Sequence, residues 1–156
     1  MNFITVLNSK EKKEIEKSLK EQFGIDKVDG LILRRGEERL FLFQGEFTAE
    51  DIRNLEQKIF IERIGIYFAR IIEGKVKLSI EGTQILKDQI KKNIFEIEGE
   101  TQLENWMKGQ DLPIKTGKRD FLVVKHKNDF LGCGKASEEK IGNFIPKSRR
   151  LREKSS

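Results

Sequence analysis

Cys133 and His126 supply the only thiol and the only imidazole of the 156-residue chain, on the two strands of one predicted hairpin. A nucleophilic thiol needs a basic partner or a helix N-terminus to lower its pKa. With a turn centred on Asn128-Asp129, His126 pairs nearer Leu131 or Gly132 than Cys133. The thiol therefore reads as a small packing residue and the imidazole as a surface or groove residue. The run Gly132-Cys133-Gly134-Lys135-Ala136-Ser137 has the G-x-G-x-x-S outline of a phosphate loop after an apolar strand. Phosphate cradling requires a long helix whose first amides aim at the anion, and the charged turn and Ile141-Gly142 that follow leave no room for one. Glycine there is read instead as a site of close chain approach. The carboxylate pairs Glu37-Glu38, Glu50-Asp51 and Glu138-Glu139 fall in turns or helix starts, where capping and solvation account for them. Trp106, at helical spacing from Leu103, reads as core. Arg34-Arg35 beside Glu37-Glu38 reads as a self-neutralising hairpin tip.

A basic constellation survives this filter. Residues 115–156 hold 12 basic and 5 acidic side chains, whereas residues 1–114 hold 19 basic and 21 acidic, so the net charge of +5 comes from the last quarter of the chain. Such one-sidedness is the electrostatic footprint of a polyanion binder. The residues assigned to phosphate contact are Lys118, Arg119, Lys125, Lys127, Lys135, Lys147, Arg149, Arg150 and Arg152, which are expected to share one continuous face. Aromatic interleaving is thin, because Phe121, Phe130 and Phe144 read as buried, and this argues against a stacking-based single-strand binder.

The elements that must carry these groups follow from period and punctuation. Asn8 and Glu11 form a capping box for a helix bearing Ile15, Leu19 and Phe23, closed by Gly24. A hairpin pairs Leu31–Leu33 with Leu40–Phe43. A second helix starts at Thr48 with Asp51 at the capping-box position, Phe47 stapling to Ile52, and Ile52, Leu55 and Ile59 on its buried side. A second hairpin pairs Arg63–Ile72 with Lys75–Ile80 about Glu73-Gly74, and a short helix over Thr83–Ile90 is weakened by Gly82. Beyond a soft boundary near residue 91 come a strand at Phe95–Ile97, a helix capped by Thr101 and Glu104, and strands at Phe121–Val124, Phe130–Ala136 and Asn143–Pro146. These short strands and small helix predict a barrel-like β domain.

Composition bounds the function. Apolar and charged residues are each 37% of the chain, and the enrichment in Lys and Glu points to a heat-adapted source. One Cys excludes a disulfide framework, and one Cys with one His excludes a Cys/His zinc cage. No apolar run approaches the 18 residues of a membrane span, and Met-Asn-Phe-Ile lacks the pattern of a signal peptide. The expectation is a cytoplasmic protein without metal or cofactor.

Lys127-Asn-Asp-Phe-Leu-Gly-Cys-Gly-Lys135, with Ile141-Gly-Asn-Phe-Ile-Pro-Lys147 and Arg149-Arg150-Leu151, resembles the C-terminal strands of a PUA domain. The likeness is to the PUA modules of RsmF-type and archaeal Sun-family RNA cytosine methyltransferases, in which a Pro-Leu-Gly-x-Gly-Lys strand precedes an Asn-x-x-Pro-x-x-x-Arg segment. Leu103–Pro113 is similar to the short PUA helix and its Gly-containing exit, although Leu112-Pro113 runs into Ile114-Lys115 where many PUA domains have Pro-Gly-Val. Arg63–Arg70 with Lys77–Gly82 resembles the pre-PUA module of the small ribosome-biogenesis factors called Nip-seven proteins.

What the resemblance implies is an α+β chain. Residues 1–90 would form a pre-PUA module, an antiparallel sheet with flanking helices, and residues 91–156 a PUA-type pseudo-barrel with one or two short helices and a basic end. It further implies a non-catalytic protein that binds rRNA or tRNA in ribosome biogenesis or RNA modification. A ribosome-assembly or RNA-modifying partner would sit on the N-terminal module. No S-adenosylmethionine-binding domain or methyltransferase Cys motif is in sight. The alternatives are a freestanding accessory subunit, an enzyme acting on RNA through Cys133 and His126, and an adaptor whose basic end binds an acidic protein.

Overall fold

The strands carry two kinds of apolar pattern, and the two kinds build different sheets. The computed structural model describes residues 4–45, 48–53 and 65–152. Within them β1 (Ile4–Val6), β2 (Leu31–Arg35), β3 (Arg39–Phe43), β4 (Ile66–Ile72) and β5 (Lys75–Leu78) form an antiparallel meander whose sheet order equals its chain order. Strands β6 (Ile94–Glu96), β7 (Phe121–His126), β8 (Asp129–Ala136) and β9 (Ile141–Asn143) form a second sheet, in which β6 runs parallel to β7 and the other pairs are antiparallel. An isolated bridge between Leu112 and Ile141 continues the pairing past β9. Helices α1 (Ser9–Phe23), α2 (Ala49–Arg53), α3 (Ile80–Ile85) and α4 (Gly99–Met107) flank the sheets, and the class is α+β as expected.

Several elements follow from local chemistry. The Asn8 box forms, with Glu11 N donating to Asn8 Oδ1 at 2.9 Å and Asn8 N donating to Glu11 Oε1 at 3.1 Å. Gly24 closes α1 at φ +78°, a conformation glycine adopts without Cβ cost. Near the end of α1, the buried Gln22 donates to Val76 O at 2.9 Å and accepts from Val76 N at 2.8 Å. Because β5 is an edge strand, this one amide satisfies backbone groups that would otherwise be orphaned in the core. Thr48 and Asp51 make the expected reciprocal bonds at the start of α2. The staple residue Phe47, the helix-face residues Leu55 and Ile59, the Ile52 side chain, and Arg63 fall outside the described residues.

Four elements differ from expectation, one of them the last strand, expected at Asn143–Pro146 and found at Ile141–Asn143, where the Asn143 side chain accepts from Ile145 N and ends the ladder. The helix anticipated over Thr83–Ile90 begins earlier, at Ile80, because Ser79 leaves the β5 ladder and its hydroxyl accepts from Gly82 N at 3.0 Å. Gly82, read as a weakness, is instead required: a Cβ there would lie 2.1 Å from Phe68 O. Helix α4 starts at Gly99 rather than at a Thr101 cap, with Gln102 Oε1 accepting from Glu98 N at 2.9 Å. Strand β1, unanticipated from sequence, pairs Val6 with Leu33.

Burial explains the two patterns. In β5, Val76 and Leu78 are buried while Lys77 between them is not, so one face is wet. In β7, Phe121, Leu122, Val123 and Val124 are all buried. Phe121 and Val123, with Cys133, join Leu19, Phe23, Phe68 and Leu78 in one core cluster that spans both sheets. Leu122 and Val124 join Trp106, Ala136 and Ile141 in a second cluster on the opposite face. A third, on the outer face of the first sheet, gathers Val6, Leu33, Phe41 and Phe43.

Gly134 lies where that second cluster is tightest, since a Cβ would fall 2.5 Å from Ile141 Cγ2 and 2.8 Å from Trp106 Cη2. Gly142, on the neighbouring strand, has nothing nearer than 3.6 Å. Overpacking costs typically 1–3 kcal/mol. Gly134→Ala is therefore expected to destabilise the fold by about 1–3 kcal/mol in urea unfolding, and Gly142→Ala to stay within about 0.5 kcal/mol of the parent.

Burial pushes the Cys133 thiol up to about 12, against smaller lowering effects of a hydrogen bond with Leu78 backbone and of nearby Lys77. The unfolded thiol ionises near roughly 8.5, so stability from the neutral buried form is intact below that pH and is lost as pH climbs through the folded value. The folded protein is expected to resist thiol reagents at mildly alkaline pH and to react fully in denaturant. Cys133→Ala is expected to flatten the alkaline loss of stability measured by unfolding.

Candidate nucleic-acid interface

The nine late cations separate by what they touch. Arg119 is ion-paired to Glu138 with both side chains largely exposed, and Arg149 is ion-paired to Glu81 of α3. Lys118 Nζ donates to Asn93 Oδ1 at 2.9 Å. Lys125 lies 5.3 Å from the centre of the Phe130 ring, and Lys127 stands on the β7–β8 turn with its backbone N–H donating to Glu96 at 2.9 Å. Lys135 lies 4.8 Å from the centre of the Phe121 ring. Lys147 and Arg152 are exposed on the C-terminal segment. Lys125, Lys127, Lys135, Lys147 and Arg152 have no carboxylate partner among the described residues. The expected single face is thus, in the structure, a set of unpaired lysines interspersed with cations that already have partners.

Arg150 has a packing role. Its Nε donates to Ile145 O at 2.8 Å, and its guanidinium lies so close over Gly109 that a Cβ there would be 2.3 Å from Nε. Asn143 donates to Trp106 O at 2.8 Å and Gln110 O at 3.1 Å, and accepts from Ile145 N at 2.8 Å. Its own N–H donates to Asp111, whose carboxyl is held below its usual range chiefly by the Lys140 ammonium and also by this bond. Leu151 N donates to Met107 O at 2.8 Å, so the whole segment from β9 onward is tied to the end of α4. The glycine and asparagine signature is therefore a packing device.

The Arg34-Arg35 tip does not neutralise itself as expected: Arg34 faces Glu11 of α1 at 3.7 Å, and Glu38 binds Arg70 of β4 at 2.6 Å. The register brings together cations that sequence reasoning missed. Arg35 is opposite Arg39, Arg39 opposite Arg70, and Arg70 opposite Lys77, a row across the first sheet. Pairing the two hairpins on paper would have exposed it; counting charge over residues 1–114 hid it. Lys77 lies 4.3 Å from the centre of the Phe144 ring, and Phe144 meets Phe121 at 6.0 Å between ring centres. Phe144, expected to be buried, is 39% exposed. Burial, then repulsion from Arg70, holds the Lys77 ammonium below its usual pKa.

Cys133 and His126 do not meet. His126, expected nearer Leu131 or Gly132, pairs with Asp129 because the two-residue turn falls at Lys127-Asn128 rather than at Asn128-Asp129, and Val123 lies opposite Cys133. The imidazole is displaced roughly 10 Å along the strand from the thiol's partner, and it is buried rather than lying at a groove. Gly132 N donates to Thr83 Oγ1 at 3.1 Å, so that amide is not offered to an anion. Among the described residues no His, Cys, Asp and Glu side chains cluster to hold a metal, and no helix is long and apolar enough to cross a membrane.

No curated protein matches the chain. Residues 92–151 match the family described as the methyltransferase RsmF PUA domain. The match takes in the whole second sheet, α4 and the C-terminal segment as far as the Leu151 tie to Met107. Together these elements are similar to the PUA domain of that family.

Proposed function

We propose that this protein binds structured RNA, rRNA or tRNA, and does so without catalysing a reaction, in ribosome biogenesis or RNA modification. The observation that carries the proposal is the set of unpaired cations Lys125, Lys127, Lys135, Lys147 and Arg152 on a PUA domain. Lysine offers point-charge attraction to phosphate and arginine adds bidentate contact. Contacts of this kind suit RNA recognised through shape, phosphate and 2′-hydroxyl groups. Arg119 adds to them at small cost, because an exposed pair such as Arg119–Glu138 contributes at most about 1 kcal/mol and opens readily. Residues 1–90 act as a brace for this surface, through the core they share with it, and as a docking site for an assembly or modification partner. The buried, un-ionised Cys133 favours a non-catalytic role over an enzyme built on that thiol.

Neutralising about five phosphates gives a slope of log affinity on log salt near −3.5 to −4.5. Lys127→Gln with Lys147→Gln is expected to reduce that slope by about 1.4–1.8, whereas Arg34→Ala leaves it unchanged. Filter binding to tRNA and to rRNA fragments over a salt series measures both. A slope near zero, or equal losses for the two variants, argues for a protein partner instead.

A further inference from the structure

Where α3 and the β4–β5 hairpin meet β8 and the C-terminal segment, a cleft of about 170 Å³ opens, lined by Tyr67, Lys77, Ser79, Phe144, Pro146 and Arg149 among others. It is smaller than the roughly 300–1,000 Å³ of a small-molecule pocket, so it suits one planar group rather than a whole cofactor. Its apolar lining combines the rings of Tyr67 and Phe144 and Pro146 with Leu78, Ile80, Leu131 and Ile145. Two of its polar groups are already engaged: Ser79 Oγ donates to Tyr67 O and accepts from Gly82 N, and Arg149 is paired to Glu81.

Around the cleft the charge is positive. Arg39 lies 6.0 Å from the centre of the Tyr67 ring, Lys77 lies over Phe144 and Lys135 over Phe121. Arg39 and Lys77 have no carboxylate partner among the described residues, and Arg70 between them has only Glu38. Cross-strand neighbours of like charge are destabilising when directly opposite. The depressed Lys77 ammonium is a sign of that crowding, although burial is its larger cause. A polyanion laid along the row relieves it.

We propose that the cleft between the two sheets receives one unstacked base of a bound RNA, held on Phe144, with the flanking phosphates on Lys77, Lys135 and Arg39. The inference rests on the RNA binding proposed above, and adds to it a single-nucleotide subsite where the late basic segment meets the first sheet. The exchange is favourable in sign when taken whole, because the base stacks on the ring while the half-buried Lys77 ammonium it displaces gains a phosphate. The displaced ammonium groups move onto phosphate. With Ser79 and Arg149 engaged, what the site chiefly offers is a ring to stack on and positive charge for the flanking phosphates.

The test uses the full chain and two hairpin RNAs of equal length, one a fully paired stem and the other carrying a single bulged 2-aminopurine. The bulged hairpin is expected to bind at least about 5-fold tighter, with its fluorescence quenched on binding. Phe144→Leu, at a position exposed enough to spare the fold, removes both effects and leaves affinity for the paired hairpin within about twofold. Lys77→Gln lowers the salt slope for the bulged hairpin by about 0.7–0.9. Equal affinity for the two hairpins, or quenching that survives Phe144→Leu, overturns the subsite and leaves general RNA binding standing. Failure to bind either hairpin at low salt removes RNA binding itself, and the subsite with it.

Discussion

Strand β7 is apolar on both of its faces, and the remainder of the architecture follows from covering both. One face, through Phe121 and Val123, closes a core with α1 and the first sheet; the other, through Leu122 and Val124, closes a core with Trp106 of α4. A strand that is wet on one side, such as β5, could not have joined two cores. Burying a large apolar side chain contributes roughly 1.5–3 kcal/mol. Pulling the halves apart would expose Phe121 and Val123 together with Phe68 and Leu78, a cost of order 10 kcal/mol by the same measure. Polar ties run across the same boundary: Gly132 to Thr83, Asn93 to Gln22, and Arg149 to Glu81. The junction is thus a fixed part of the molecule, and side chains on either side of it hold a set geometry.

Charge is distributed under that constraint. Counting Lys and Arg along the sequence treats every cation as available, whereas the structure gives several of them other work. Arg150 fills the space above Gly109, Arg149 ties the C-terminal segment to α3, and Lys140 holds Asp111 beside Asn143. Fewer cations are left without a carboxylate than the count suggests, while an uncounted row on the first sheet ends in Lys77, at the ring that packs on the partner of Lys135. Lys77 and Lys135 approach the same pair of mutually tilted phenylalanines from the two sheets.

Much of this was legible in the sequence where the signal is local. The Asn8–Glu11 box, the Gly24 stop, the alternation in β5 and the apolar run in β7 each follow from a few adjacent residues, and each is realised. The glycine-rich strand was also correctly separated from a phosphate loop, since it lacks the helix that such a loop needs. Signals that depend on distant partners were not legible. Gly82 looks like a helix breaker until Phe68 O is seen against it, and the His126 register turns on which two residues of Lys127-Asn128-Asp129 form the turn. The cation row required the register of four strands at once, and Phe144 required knowing that β9 ends at Asn143.

A cluster of like charges at a boundary with a shared core has a particular consequence. Arg39, Arg70 and Lys77 stand opposite one another on adjacent strands of one sheet, so their repulsion is retained in the folded state and only partly offset by Glu38. An anion bound there gains the full relief without first ordering the groups that bind it, which is the advantage of preorganisation. The same rigidity limits the occupant: the space between Tyr67, Phe144 and Pro146 has the scale of one flat group, and it cannot widen without breaking the core beneath it. The geometry that joins the PUA domain to the first sheet therefore also makes the junction selective, through shape and charge together.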